Sequence, residues 1–106
     1  MSFVKLTDLT SKEIVPGFTA RFIHTDQVTI AYIDIVAGSV APPHAHPHAQ
    51  VSSVVSGKLE MTIDGETKIL EPGMAGVMPP HAEHGARAIT DCRVVDYFCP
   101  ARDDLR

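Results

Sequence analysis

The chain has 106 residues, 44% of them hydrophobic and 21% charged, with a formal net charge of -4 when histidine is neutral. That length predicts a single domain over residues 1–106 with enough apolar side chain for one core. The acidic balance and scattered Lys and Arg exclude a nucleic-acid footprint, no stretch reaches membrane-spanning length, and the N-terminus lacks a signal-peptide core, so the expectation is a cytoplasmic protein.

Residues 1–15 carry Phe3, Val4, Leu6, Leu9, Ile14 and Val15 among polar neighbours. The weak periodicity predicts an edge strand or an arm that packs on the body of the protein or on a partner subunit. Pro16-Gly17 is a turn. Phe18 to His24 alternates. Val28 to Val36 is a long β-rich run, with Thr29, Ala31, Ile33 and Ile35 on one side and Val28, Ile30, Tyr32, Asp34 and Val36 on the other. Thr25-Asp26-Gln27 joins the two runs as a hairpin. His24, alone on its strand, reads as structural or solvent-facing.

Val51 to Ser56 is short and β-branched, and Ser56-Gly57-Lys58 is a turn. Leu59–Ile63 and Thr67–Leu70 flank Asp64-Gly65, a strong hairpin signal. A two-residue loop sets Met61 opposite Lys68; a three-residue loop pairs Met61 with Ile69, which buries better but seats Gly65 at an unusual place. Glu71-Pro72-Gly73 turns into a strand at Ala75–Met78, stopped by Pro79-Pro80. His84–Ile89 and Cys92–Phe98 complete the set, and residues 100–106 form a polar tail. Many short strands between Gly and Pro turns, with no sustained 3.6-residue period, predict an all-β sandwich or barrel.

Cys92 and Cys99 are the two cysteines. On one strand they are ~23 Å apart, beyond the roughly 7 Å reach of a disulfide. They are expected to be free thiols, as in a reducing compartment.

The chemistry concentrates elsewhere. Between Gly38 and Gly57 lie His44, His46 and His48, followed by His81 and His84; of the six histidines only His24 stands apart. Imidazole is the commonest metal ligand. On extended backbone, residues two apart share a face, so His44 and His46 project together. Pro42, Pro43 and Pro47 bar a helix here. Gln50 either brings its carbonyl oxygen to the same ion or only hydrogen-bonds nearby. A further ligand must come from another segment, and His84 is the best placed. His48 reads as a neighbour of the site or a solvent residue, and His81 as a loop residue. Such ligands suit one divalent transition metal, Ni, Fe, Mn, Co or Zn.

This spacing resembles the cupin superfamily. Its first motif is Gly, five residues, His-x-His, three or four residues, Glu, six residues, Gly; here Gly38, His44, His46 and Gly57 match, with Gln50 in place of Glu. Its second is Gly, five residues, Pro-x-Gly, two residues, His, three residues, Asn; Gly73, Pro79 and His84 match, with His81 for the Gly and Ala88 for the Asn. The resemblance implies a cupin (jelly-roll) barrel with a metal on His44, His46, Gln50 and His84.

On the last strand Val94, Asp96 and Phe98 share one face. Asp96 either points inward, where a carboxylate beside a metal is a general acid/base candidate, or outward to pair with a surface Arg. Arg87 and Arg102 either clamp a substrate carboxylate or are solvated. Within the cupins, the stretches from His44 to Gln50, Ile63 to Gly73, His84 to Ala88 and Val94 to Leu105 look like the small cupins of pectin and alginate breakdown that linearise unsaturated monouronates. Ala49 stands where that group has Glu, and Ala101 where it has Pro. This resemblance implies that Asp96 is the acid/base, that Phe98 shapes the pocket, and that Arg102 meets an anionic sugar. A homodimer formed through edge strands is also implied. Two rival readings are a cupin dioxygenase, which would consume oxygen, and a non-catalytic binding module, which would have a dry apolar pocket without a reachable Asp96.

Overall fold

The computed structural model describes residues 2–106. Ten strands follow a 3₁₀ turn at Leu6–Asp8: β1 Lys12–Val15, β2 Phe18–His24, β3 Thr29–Ile35, β4 Val40–His44, β5 Ala49–Ser56, β6 Leu59–Ile63, β7 Glu66–Leu70, β8 Ala75–Met78, β9 His84–Ala88 and β10 Cys92–Cys99. A second 3₁₀ turn spans Asp103–Leu105. They form two antiparallel sheets, of order β1-β2-β3-β10-β5-β8 and β4-β9-β6-β7. The all-β barrel expected from the turn spacing is therefore present. Within the N-terminal segment, Lys12–Val15 is β1, an edge strand of the six-stranded sheet that pairs only with β2.

Alternation decides which face is buried. On β3, Thr29, Ala31, Ile33 and Ile35 point inward, and on β10, Cys92, Val94, Asp96 and Phe98 do. These meet Phe18, Ala20, Leu59, Met61, Leu70 and Met78 in one core between the sheets. At roughly 1.5–3 kcal/mol per fully buried large apolar side chain, this layer is the main force holding the sheets together.

The β6–β7 register is that of the two-residue loop: Met61 faces Lys68, and Glu60 faces Ile69. Asp64 and Gly65 take φ of 47° and 82°, the left-handed pair of a type I′ turn. Met61 is buried all the same. Lys68 lies on the edge strand, where its long side chain reaches water, so turn geometry overrode the better-burying pairing.

The two cysteines are free, Cys92 buried and Cys99 exposed, at opposite ends of β10. Gly85 sits where β4 and β9 approach closely: a Cβ there would lie 3.0 Å from the Ala41 carbonyl oxygen and 3.2 Å from the Pro43 nitrogen.

Candidate metal centre

Three strand pairings build the site. β4 against β9 sets His44 directly opposite His84. β10 against β5 sets Asp96 opposite Ser52, and Phe98 opposite Gln50. β10 against β3 sets Phe98 opposite Thr29. His46, on the link from β4 to β5, closes the group. The ring centroids of His44 and His84 are 4.3 Å apart, and those of His46 and His84 are 4.9 Å apart. One nitrogen from each of His44, His46 and His84 lies within 4.8 Å of the others.

The tautomers follow from the hydrogen bonds. His44 Nδ1 donates to the Pro42 carbonyl at 2.8 Å, His46 Nδ1 to the His48 carbonyl at 3.1 Å, and His84 Nδ1 to the Ala82 carbonyl at 2.9 Å. A carbonyl can only accept, so the Nδ1 of His44 and of His84 carries the proton and their neutral rings present Nε2 as a lone pair; His46 faces an acceptor at each nitrogen, and its neutral ring donates to only one of them. His84 Nε2 is buried without a hydrogen-bond partner. Burial is also the largest cause of the lowered pKa of His84, which keeps the ring neutral at pH 7.

Gln50 strengthens the case. Its amide nitrogen donates to Ser52 Oγ at 3.1 Å and to Asp96 Oδ2 at 3.2 Å, which turns its oxygen towards His46. Gln50 Oε1 and His46 Nε2 are then 2.9 Å apart. With its proton on Nδ1, His46 sets a lone pair against that of Gln50 Oε1, a facing that a shared cation would relieve. Two ligands at ~2.0–2.1 Å from one ion are about 2.9 Å apart when they subtend a right angle and about 3.3 Å apart in a tetrahedral set. A buried orphan nitrogen, a cluster of three histidines and a facing amide oxygen therefore fit a divalent cation. The donors suit a transition metal.

Asp96 is buried and points inward, with Oδ1 unpartnered. Burial pushes its pKa up to about 6, against smaller downward pulls from the Ser52 hydroxyl and the Arg102 charge. A cavity of about 240 Å³ is lined by His44, Gln50, His84, Asp96, Phe98 and Arg102, with an apolar wall that includes Phe22 and Leu105. The Arg102 guanidinium lies 4.8 Å from the centre of the Phe98 ring. A two-pronged pair to Asp104 at 3.0 and 2.8 Å holds it there, and it holds the Asp104 carboxyl down at about 2.

The structure thus brings together all the expected residues except one. Arg87 alternates with the inward residues of β9, points outward, and pairs with Glu60 at 3.4 Å; it does not reach the cavity. Strand alternation from His84 puts it on the opposite face. His81 is exposed with φ 68°, the left-handed backbone that the motif's glycine would adopt. His48 contributes its carbonyl, which orients His46. His24 stacks on Phe22 and hydrogen-bonds Thr29 at 2.9 Å.

Two residues that sequence reasoning passed over support the site. Ser52 holds the Gln50 amide, and fully buried Thr29 accepts from the Arg102 backbone N–H at 2.8 Å. Their signal was a hydroxyl at an inward position of an otherwise apolar alternation.

Residues 31–98 match the cupin domain profile. The chain is 30% identical over 97 residues to KdgF, a pectin degradation protein of Dickeya dadantii (strain 3937), covering 89% of this chain and 88% of that protein. It is 35% identical to the solved KdgF of a Halomonas species, with a TM-score of 0.93 over 100% of this chain and 99% of that one. An RmlC-like cupin of Shewanella frigidimarina NCIMB 400 superposes with a TM-score of 0.94 at 31% identity, covering 100% and 96% of the two chains. With the profile spanning more than half its length and a relative this similar along nearly the whole of both chains, the protein belongs to the cupin family.

Proposed function

We propose that the protein is a metal-dependent enzyme that opens an unsaturated uronate, an enol-ether sugar acid, to a linear keto acid. His44, His46 and His84 through Nε2, and Gln50 through Oε1, would hold one divalent transition metal. When bound, that ion supplies Lewis acidity, undiminished by any anionic ligand, to polarise an oxygen-bearing substrate.

The residues of the chain do the rest. Arg102, stacked on Phe98 and braced by Asp104, offers its remaining guanidinium edge to the sugar carboxylate. Phe98 forms the adjoining wall. Asp96 gives a proton to the enol-ether carbon remote from the ring oxygen. The hydroxyl of a water joins the carbon that bears that oxygen, and the resulting hemiketal opens to a ketone and a hydrated aldehyde. Asp96 recovers its proton from the water, so proton and hydroxyl balance.

One observation carries this reading: a buried carboxyl, whose pKa burial pushes up to about 6, shares both a cavity and the Gln50 amide with the histidine cluster. Proton carriers work best near the operating pH. The similarity to two KdgF proteins supports the substrate class.

The test is the decay of the unsaturated chromophore of a free unsaturated monouronate, with metal-loaded protein and an oxygen electrode in the same cell. Chromophore loss without oxygen uptake is expected, and Asp96→Asn should slow it by about 10²–10⁴-fold. An unchanged rate in that variant removes Asp96 from the mechanism. Oxygen uptake would make the protein a dioxygenase instead.

A further inference from the structure

His24 stands apart in sequence from the other histidines, and the strand registers explain its position. On β2, His24 pairs with Thr29, the first residue of β3, and Thr29 in turn pairs with Phe98 on β10. The other inward residues of β3, Ala31, Ile33 and Ile35, are apolar, whereas Thr29 buries a hydroxyl completely. Both its oxygen and its proton therefore need partners. Oγ1 accepts from the Arg102 backbone N–H at 2.8 Å, since an N–H can only donate. The hydroxyl's own proton faces His24 Nδ1, 2.9 Å away. Burial, above all, lowers the pKa of His24, so the ring is neutral at pH 7 and can offer Nδ1 as that acceptor. Stacking on Phe22, with ring centres 5.7 Å apart and planes 17° apart, steadies the ring.

Arg102 depends on this chain of bonds. β10 ends at Cys99, and among the described residues no strand follows it. The C-terminal turn is tied to the barrel at its start by the Thr29 hydroxyl. At its end the Arg106 guanidinium donates to the Thr25 carbonyl at 2.8 Å. Both ties land on the hairpin of β2 and β3. The ion pair with Asp104 fixes the Arg102 guanidinium relative to the turn but not relative to the barrel, because Asp104 belongs to the same turn. The bond to Thr29 supplies the missing constraint, on the residue directly opposite Phe98. The Arg102 side chain is only 15% exposed, and Leu105 of the same turn stands in the cavity wall.

We propose that His24 and Thr29 are positioning residues: they lock the C-terminal turn against the β2–β3 hairpin, so that Arg102 keeps its guanidinium over Phe98 and its free edge towards the substrate carboxylate. The proposal rests on the reading of Arg102 as the residue that meets that carboxylate. Neither His24 nor Thr29 lines the cavity, so both act through Arg102. The chain runs one way, from Arg102 N–H to Thr29 Oγ1 and from Thr29 O–H to His24 Nδ1, and a hydroxyl with both bonds made is held against rotation. Thr29→Val keeps the branched shape but removes the acceptor. The Arg102 N–H then faces a methyl group, and the turn must shift outward to give it water. The guanidinium shifts with it, and a two-pronged contact tolerates a displacement of only about 0.5 Å.

Two measurements on the zinc-loaded full chain test it. The first needs no substrate. In the wild type the ring current of Phe98 should displace the Arg102 Nε–H resonance, and in Thr29→Val and in His24→Phe that resonance should return to the position of a free arginine. Thr29→Ser keeps the hydroxyl and should keep the displacement. The second is calorimetric binding of glucuronate, a saturated uronate with no enol ether to react. Thr29→Val should weaken its binding by about five- to tenfold, the size of one lost hydrogen bond, and should have no effect in an Arg102→Ala background. An unmoved Arg102 resonance in Thr29→Val or in His24→Phe overturns the proposal. So does a loss of binding that persists undiminished once Arg102 is gone. If the wild type and Arg102→Ala bind glucuronate alike, the reading of Arg102 as the carboxylate residue falls, while the resonance still decides whether His24 and Thr29 set its position. Should Thr29→Val fail to fold, His24→Phe, at a half-buried site, decides the question by the same measurements.

Discussion

At the scale of single residues, Gln50 and Asp96 set the character of the site. As a proposed ligand, Gln50 would keep the ligand set neutral, while its amide nitrogen holds Asp96 Oδ2 at 3.2 Å. In Gln50→Glu an anionic oxygen replaces the amide oxygen, so the metal should be held more tightly, by about tenfold in competition with a chelator. The new carboxylate has no N–H to offer Asp96 and faces it closely. It should therefore raise the Asp96 pKa further, which would show as an alkaline shift of the Asp96 carboxyl resonance on NMR titration.

Asp96 also makes metal-free stability depend on pH. Its pKa rises from 3.8 unfolded to about 6 folded, so between those values the folded state holds a proton that the unfolded state has released. Stability must then fall as pH rises through that window, by up to about 3 kcal/mol. Asp96→Asn, which has nothing to ionise there, should lose this slope. Urea titrations of the two metal-free proteins at pH 4 and pH 7 check it, and parallel curves would count against the burial argument.

At the scale of elements, the close approach of β4 to β9 positions two of the three histidines. Gly85 permits it, because a methyl group would press on the Ala41 carbonyl and the Pro43 backbone nitrogen. Gly85→Ala should push β4 outward and carry His44 away from His84. We expect metal affinity to fall at least tenfold and stability by about 1–3 kcal/mol, read by chelator competition and thermal unfolding. A variant that binds metal normally would show that β4 tolerates the shift. The β6–β7 hairpin makes the complementary point. Asp64-Gly65 announced a turn, yet the register came from the left-handed backbone of that pair and not from hydrophobic burial.

At the scale of the whole molecule, the proposed ion joins the two sheets, since His44 and His84 belong to the four-stranded sheet and Gln50 to the six-stranded one. An ion bound by the folded state alone stabilises it by about 2.7 kcal/mol at a hundredfold excess over Kd. For a chain of this size, stripping the metal with a chelator should lower Tm by roughly 10 °C or more, and adding metal back should restore it. A Tm indifferent to both would mean that no ion bridges the sheets.

Local covalent and steric rules made much of this legible without coordinates. Glycines and prolines punctuate the strands, alternation puts Val94, Asp96 and Phe98 on one face, and the His-x-His spacing aims two rings the same way. Those patterns depend only on backbone geometry and near neighbours, so they can be read along the chain. Contacts made across strands cannot. That Asp96 lies opposite Ser52, that three histidine rings are oriented by carbonyls two residues away, and that Arg87 turns outward to Glu60 are consequences of register and sheet order. The tertiary structure decided them, because pairing distant segments is a choice among many long-range arrangements that no local preference specifies.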